Sequence, residues 1–161
     1  MRLFMDSMVA VMLAAILAVV VLYNRSTNDA TAQRELARAE VRRFSQQIAL
    51  QTALSQVQRN ERGYPSSVDV EWFAGKLPAN PLLDIDHPWL EIAGAEQHDL
   101  LHPPERSAGS PVLAKFWYNP SNGLVRARVP TGLSDAATLE MYNFINDCDL
   151  PELFADGSDH R

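Results

Sequence analysis

The hydrophobic pattern of the chain changes character twice. From Met8 to Tyr23 it reads MVAVMLAAILAVVVLY, sixteen consecutive residues without a charge, an amide, a glycine or a proline. A segment apolar on every side has no stripe to offer water, so it predicts a transmembrane helix. At about 1.5 Å per residue these sixteen residues cover about 24 Å, short of a hydrocarbon core of roughly 30 Å. Phe4, Met5 and Ser7 lengthen the span but draw Asp6 towards the membrane face, where a carboxylate needs a partner cation. The polar stretch Asn24–Asp29 then predicts a soft point or a fresh N-cap, with Ser26 together with Asp29, or Asp29 alone, starting the next helix. From Thr31 to Arg62 the pattern becomes periodic, without Gly or Pro and rich in Ala, Leu, Arg, Gln and Glu, which predicts one long amphipathic helix. Val41, Phe44 and Ile48 form one apolar stripe on it, and Leu36, Leu50, Leu54 and Val57 form a second, roughly a third of a turn away. Two stripes allow one to cover the chain's own sheet and the other to meet a neighbouring subunit; a single wide core face is the alternative. Val41, Phe44 and Ile48 are taken as the partner-facing candidates.

Beyond Arg62 the pattern shortens. Gly63-Tyr64-Pro65 predicts a helix end, since Gly supplies the C-cap conformation and Pro blocks continuation. All ten prolines follow residue 64, so this half is expected to be short strands and turns. Ser67–Phe73 reads as a short helix, Leu77–Leu83 as loop, Trp89–Ile92 as a strand and Glu96–Ser110 as a mobile polar loop. Val112–Tyr118 and Leu124–Val129 flank Asn119-Pro120-Ser121-Asn122-Gly123, turn chemistry for a β-hairpin. Alternation sets Val125, Ala127 and Val129 inward and places Arg126 and Arg128 on a solvated face. Ser134 caps a final helix, Asp135–Asn146, and the acidic tail 147–161 is expected to fray. The predicted fold class is α+β, a long N-terminal helix packed on a small antiparallel sheet. Its parts are residues 1–30 (membrane segment), 31–62 (amphipathic helix), 63–146 (globular domain) and 147–161 (tail).

Charge is divided unevenly. Residues 1–60 carry seven Arg and no Lys against four acids, net +3, whereas residues 61–161 carry seven bases against sixteen acids, net −9. An acidic outer domain argues against nucleic acid, because phosphate needs the opposite sign. Cys148 is the single cysteine, so no internal disulfide forms and the compartment is not legible from cysteine usage. A cleaved secretory signal competes with the membrane reading, with Arg2 as its basic start and Ala30-Thr31-Ala32 as its cleavage site. The long apolar run and the long stretch from Tyr23 to Ala32 count against it. Arg25, Arg34, Arg38, Arg42 and Arg43 follow the span, and by the positive-inside rule they would hold the C-terminal domain in the cytoplasm.

The order of parts carries a resemblance over roughly residues 1–146. An apolar helix runs into an amphipathic one, Gly63-Tyr64-Pro65 breaks it, the loop Leu77–Pro81 follows, and then the hairpin Phe116–Gly123. This resembles the type IV pilins and type II secretion pseudopilins, and more narrowly the accessory pilin-like proteins of mannose-sensitive haemagglutinin (MSHA) type pilus biogenesis. The resemblance implies a pilin-like fold, a single-pass inner-membrane location with the globular domain in the periplasm, and partners among pilin or pseudopilin subunits, the assembly platform and membrane lipid. It therefore opposes the arginine count on topology, and the family's topology is preferred here. Family members carry a leader ending in Gly and a Glu at the fifth mature position that neutralises a neighbour's N-terminal amine. No Gly precedes Phe4, so prepilin-type processing is not expected, and Asp6, fifth when counting begins at Arg2, is the candidate replacement for that Glu.

Chemistry other than packing has thin support. His98 and His102 stand four apart near Glu96 and Asp99, as zinc ligands on a helix would, but Pro103-Pro104 ends any helix there and the metalloprotease Glu is missing. Asp84 and Asp86 beside His87 offer oxygen ligands for calcium without the Gly turn or bidentate Glu of a strong site. No nucleophile motif, phosphate loop or dinucleotide fingerprint occurs, so no enzyme activity and no cofactor are expected. The competing function is a membrane-tethered periplasmic domain that binds a ligand or metal through His98, His102 and Asp84.

Overall fold

The computed structural model describes residues 2–54 and 58–154, with side chains described from Met12 onward. The chain divides at Gln33 into two units. One helix, α1 (Arg2–Ala53), contributes to both. The expected soft point at Asn24–Asp29 is helical. The hydroxyls of Thr27 and Thr31 bond back to the carbonyls of Tyr23 and Thr27, each at 3.0 Å, so these side chains are satisfied within the helix and do not compete with it.

The other end of α1 also departs from expectation, stopping at Ala53 and not at Arg62. The cause lies downstream. Asn60 accepts the backbone N–H groups of Arg62 and Tyr64 on its side-chain oxygen, each at 3.0 Å, and Arg59 bridges Pro65 in an antiparallel turn. That local network holds residues 59–65 in a turn and not in a helix. Tyr64 then lies over Gly123, where φ is +74° and a Cβ would sit 2.4 Å from the Tyr64 ring, so only glycine serves. Tyr118 donates its hydroxyl to the Pro65 carbonyl at 2.8 Å. Gly63-Tyr64-Pro65, which does not itself end α1, and the hairpin turn, far apart in sequence, are thus one packed feature.

In the second unit, β1 (Leu90–Ile92), β2 (Phe116–Asn119) and β3 (Leu124–Ala127) form a sheet in the order β1-β2-β3. The hairpin β2–β3 is antiparallel, as expected, with Trp117 opposite Arg126 and Tyr118 opposite Val125, but its strands are shorter than expected: β2 begins at Phe116 and not at Val112, because Ser110–Leu113 closes as a turn, and β3 ends at Ala127 and not at Val129. The β1–β2 pairing is parallel, so the sheet is mixed and not antiparallel throughout. Residues 93–115 make that crossover, long enough to return the chain to the same end of the sheet.

Every residue of β2 is buried, which accounts for its unbroken Phe-Trp-Tyr pattern: the sheet is covered on both faces. On one face Phe116, Tyr118, Val125 and Ala127 meet Ala37, Val41, Phe44 and Ile48 of α1 and Tyr142 and Ile145 of α2 (Asp135–Asn146). On the other lie residues 96–106, part of the stretch Glu96–Ser110 expected as a mobile loop, but fastened to the hairpin. Asn119 donates to the carbonyls of Gln97, His98 and Leu100, and Trp117 donates its indole N–H to Gln97 at 2.9 Å. This cover also overturns the solvated face expected for Arg128. Arg128 is 1 % exposed, pairs with Glu91 at 2.7 Å, and donates to the carbonyls of Glu105 and Ala114.

Ser134 caps α2 as expected, accepting the Ala137 N–H at 3.2 Å. The outer edge of β3 is closed by Asn146, which accepts the Ala127 N–H at 2.7 Å and donates to the Ala127 carbonyl at 2.9 Å. Residues 147–154, expected to fray, are tied down: Arg106 donates to the carbonyls of Glu152 and Leu153, and Leu153 is buried. The remainder of the tail lies outside the described residues.

Candidate functional site

Between Met12 and Tyr23 the side chains of α1 are exposed, including Met12, Leu13, Ile16, Leu17 and Tyr23. Val19, Val20, Val21 and Leu22 are consecutive and all exposed, and four residues cover a full helical turn of about 3.6 residues, so no polar face interrupts the apolar surface. Among the described residues no helix is long and apolar enough to cross a membrane. The apolar sequence begins at Met8, ahead of the first described side chain. Asp6 falls on α1, and its side chain lies outside the described residues.

The helix residues assigned to a partner are already occupied. Val41, Phe44 and Ile48 are buried in the chain's own core. Phe44 stacks on Trp89 with ring centroids 5.5 Å apart and meets Phe73 and Phe116 edge-on at 5.4 and 5.6 Å. The stripe that sequence reasoning assigned to partner contact is therefore the one that covers the sheet. Leu36, Leu50 and Leu54 of the second stripe are about half exposed, and Val57 lies outside the described residues.

Beside that stripe runs a charged face that the sequence did not reveal. Asp147, the C-cap of α2, has φ of 49° and holds its carboxylate between Arg38 and Arg42, with contacts of 2.8 and 2.9 Å. Arg38 and Arg42 lie one turn apart on α1, so a single carboxylate spans both. The hydrogen bonds from Arg38, and then those from Arg42, hold the Asp147 carboxyl below its ordinary range. Arg38 also covers the Phe144 ring at 4.8 Å. Arg43 pairs with Glu40 at 3.0 Å and donates to the Lys76 carbonyl. Three of the five arginines that follow the apolar run thus have structural partners. The i, i+4 spacing of Arg38 and Arg42 was visible, but nothing local marked Asp147 as their partner.

The candidate metal ligands are not brought together. His102 is buried, with Nδ1 3.1 Å from the Tyr142 hydroxyl, and burial holds that phenol above its ordinary range. His98 lies in the fastened loop, its carbonyl accepting from Asn119 and Ser121, while Asp99 faces Arg62 at 3.9 Å. Asp84, Asp86 and His87 line a separate cavity with Gly109 and Ser110. His87 donates from Nδ1 to the Leu113 carbonyl at 2.8 Å. Among the described residues no three His, Cys, Asp or Glu side chains gather closely enough to hold a metal ion. Cys148 is half-buried, its thiol pushed up by that burial, and it donates to Asn143 at 3.3 Å, the opposite of an activated thiolate.

No family model matches the chain, and neither a curated protein nor a solved structure matches it.

Proposed function

We propose that the protein is a non-enzymatic, single-pass, pilin-like inner-membrane protein that takes part in type IV pilus biogenesis of the MSHA type. Its work is packing: the N-terminal helix associates with pilin-type helices or the assembly platform, and the acidic domain faces the periplasm. The observation that carries this reading is the helical surface from Met12 to Tyr23, apolar on all sides and exposed. Water penalises such a surface by about 25 cal/mol per Å², whereas lipid or another apolar helix does not. The arginines beyond it weigh less against a periplasmic domain than their number implies, since Arg38, Arg42 and Arg43 serve the domain's own fold. The rival reading, a ligand or metal held by His98, His102 and Asp84, has no assembled site behind it.

Membrane fractionation with a C-terminal reporter tests the proposal. The full chain is expected to stay in the membrane pellet through alkaline carbonate, with the reporter active only on the periplasmic side, and Leu17→Lys with Val20→Lys is expected to release it. Recovery of the unaltered chain in the soluble fraction, or a cytoplasmic reporter, overturns the membrane reading. Co-purification with pilin subunits that survives the unaltered chain's replacement by a Leu17→Ser, Val20→Ser variant overturns the helix-packing role alone.

A further inference from the structure

Three loops of the second unit meet at a place the packing role does not use. Asp84–His87 and Ser110–Leu113 are each closed as a turn, by His87 N–H to the Asp84 carbonyl at 3.3 Å and Leu113 N–H to the Ser110 carbonyl at 3.1 Å. The His87 side chain joins the two through Leu113. Ala108 is anchored to Val129 at 2.8 Å, and the third loop approaches at Thr131, 3.4 Å from where a Cβ on Gly109 would stand. Between the first two loops is a cavity of about 240 Å³ lined by Asp84, Asp86, His87, Gly109 and Ser110.

Each loop presents one aliphatic side chain to solvent. Ile85 is 90 % exposed, Val112 is 80 % exposed and Leu133 is exposed entirely, more than any other large hydrophobic among the described residues. A single exposed aliphatic means little, but Ile85 and Val112 adjoin residues that line one cavity, and Leu133 follows Thr131, which approaches it at Gly109. Ile85 and Val112 occupy the corners of turns, where Asn, Asp, Gly or Ser is usual. Leu133 precedes the helix cap Ser134, where an apolar residue would normally fold back onto the fourth helical position. That position is Thr138, whose hydroxyl is committed to Gly132 and Ser134, so Leu133 has no apolar partner there.

We propose that this end of the domain is a docking surface for a protein segment presenting a lysine or arginine beside an aliphatic or aromatic side chain. Charge selects that occupant. Asp84 and Asp86 are exposed and form no ion pair among the described residues, and residues 61–161 carry net −9. An anionic lipid surface is repelled by the same charge, and so is a second copy at net −6 overall. The two turns are closed by their own hydrogen bonds, so the surface is preformed and little ordering opposes binding. The proposal does not depend on the membrane helix, because all of its residues belong to the second unit.

Photo-cross-linking in cells tests it, with a benzophenone amino acid placed at Val112 of the full chain and, as reference, at Leu50. The expected result is a protein adduct at Val112 whose mapped segment carries Lys or Arg beside an apolar residue. Its yield should fall at least about fivefold in the Asp84→Lys, Asp86→Lys variant and also in Ile85→Ser, with unaltered thermal unfolding and unaltered yield at Leu50. The absence of an adduct, an adduct with lipid or with a second copy, a mapped segment without a base, or a yield indifferent to charge reversal each overturns it.

Discussion

The two halves of α1 use the same helix-forming residues to opposite ends. Around Ala37, Val41, Phe44 and Ile48 the apolar positions recur on one face, and the chain's own sheet buries them. Between Met12 and Tyr23 they occupy every position, and nothing within the described residues buries them. Periodicity therefore separates burial that the chain supplies from burial that its surroundings must supply. The largest expected effect breaks the halves apart. Phe44→Ala removes a side chain packed against Phe73, Trp89 and Phe116 and is expected to cost about 3–5 kcal/mol, read as the shift of the urea midpoint of the detergent-solubilised chain by tryptophan fluorescence. Leu17→Ala, exposed on the other half, is expected to leave that midpoint unmoved. An equal shift from both would show that the halves do not differ in this way.

A second test asks whether the domain's polar interior is as self-contained as its apolar one. Arg128 has only Glu91 as its charged partner among the described residues, and Glu91 is a third exposed. Glu91→Ala strands a buried guanidinium and is expected to cost about 3 kcal/mol, the low end for a broken buried pair because water reaches that side. Arg128→Met with Glu91→Leu removes both charges and is expected to cost less than Glu91→Ala alone. A double variant worse than the single, by the same urea measurement, would show that the ion pair specifies the fold beyond satisfying itself.

What the sequence made legible follows from the range of the interactions. Periodicity and caps are local, so the hairpin, the Ser134 cap and the α2 limits were readable, as was Trp89–Ile92 as a strand. The parallel pairing of β1, the burial of Arg128 and the fastening of residues 96–106 depend on which segments cross which face, and no local pattern carries that. Arg126 and Arg128 alternate like solvent-facing residues because alternation reports sides, not what covers them. The one available hint was Phe116-Trp117-Tyr118, too apolar for a sheet with a wet face. At the candidate surfaces the same limit holds: two stripes on α1 were visible, but which of them met the sheet was not.

The smallest expected effect concerns how the buried half of α1 is joined to α2. Asp147 is stabilised as the carboxylate by Arg38 and then Arg42, so its pKa is lower folded than unfolded. A depressed carboxyl contributes stability in full above its unfolded value and loses that contribution as pH falls through the folded one. Asp147→Asn keeps a residue tolerant of the φ of 49° while removing the charge, which isolates the electrostatic part. With the Asp147 side chain 41 % exposed, screening limits the loss to below about 1 kcal/mol at neutral pH. The Tm difference between the two proteins should stay constant from neutral pH down to about 5, then close as pH drops below the ordinary carboxylate range near 3.9. It should also narrow in about 1 M salt, where the Debye length is about 3 Å. Asp147→Ala adds a left-handed backbone penalty of about 1–2 kcal/mol that neither acid nor salt removes. The absence of any gap between the Asn and Ala variants would mean that the α2 terminus is held by Arg38 and Arg42 alone, and that its backbone geometry follows from the ion pair.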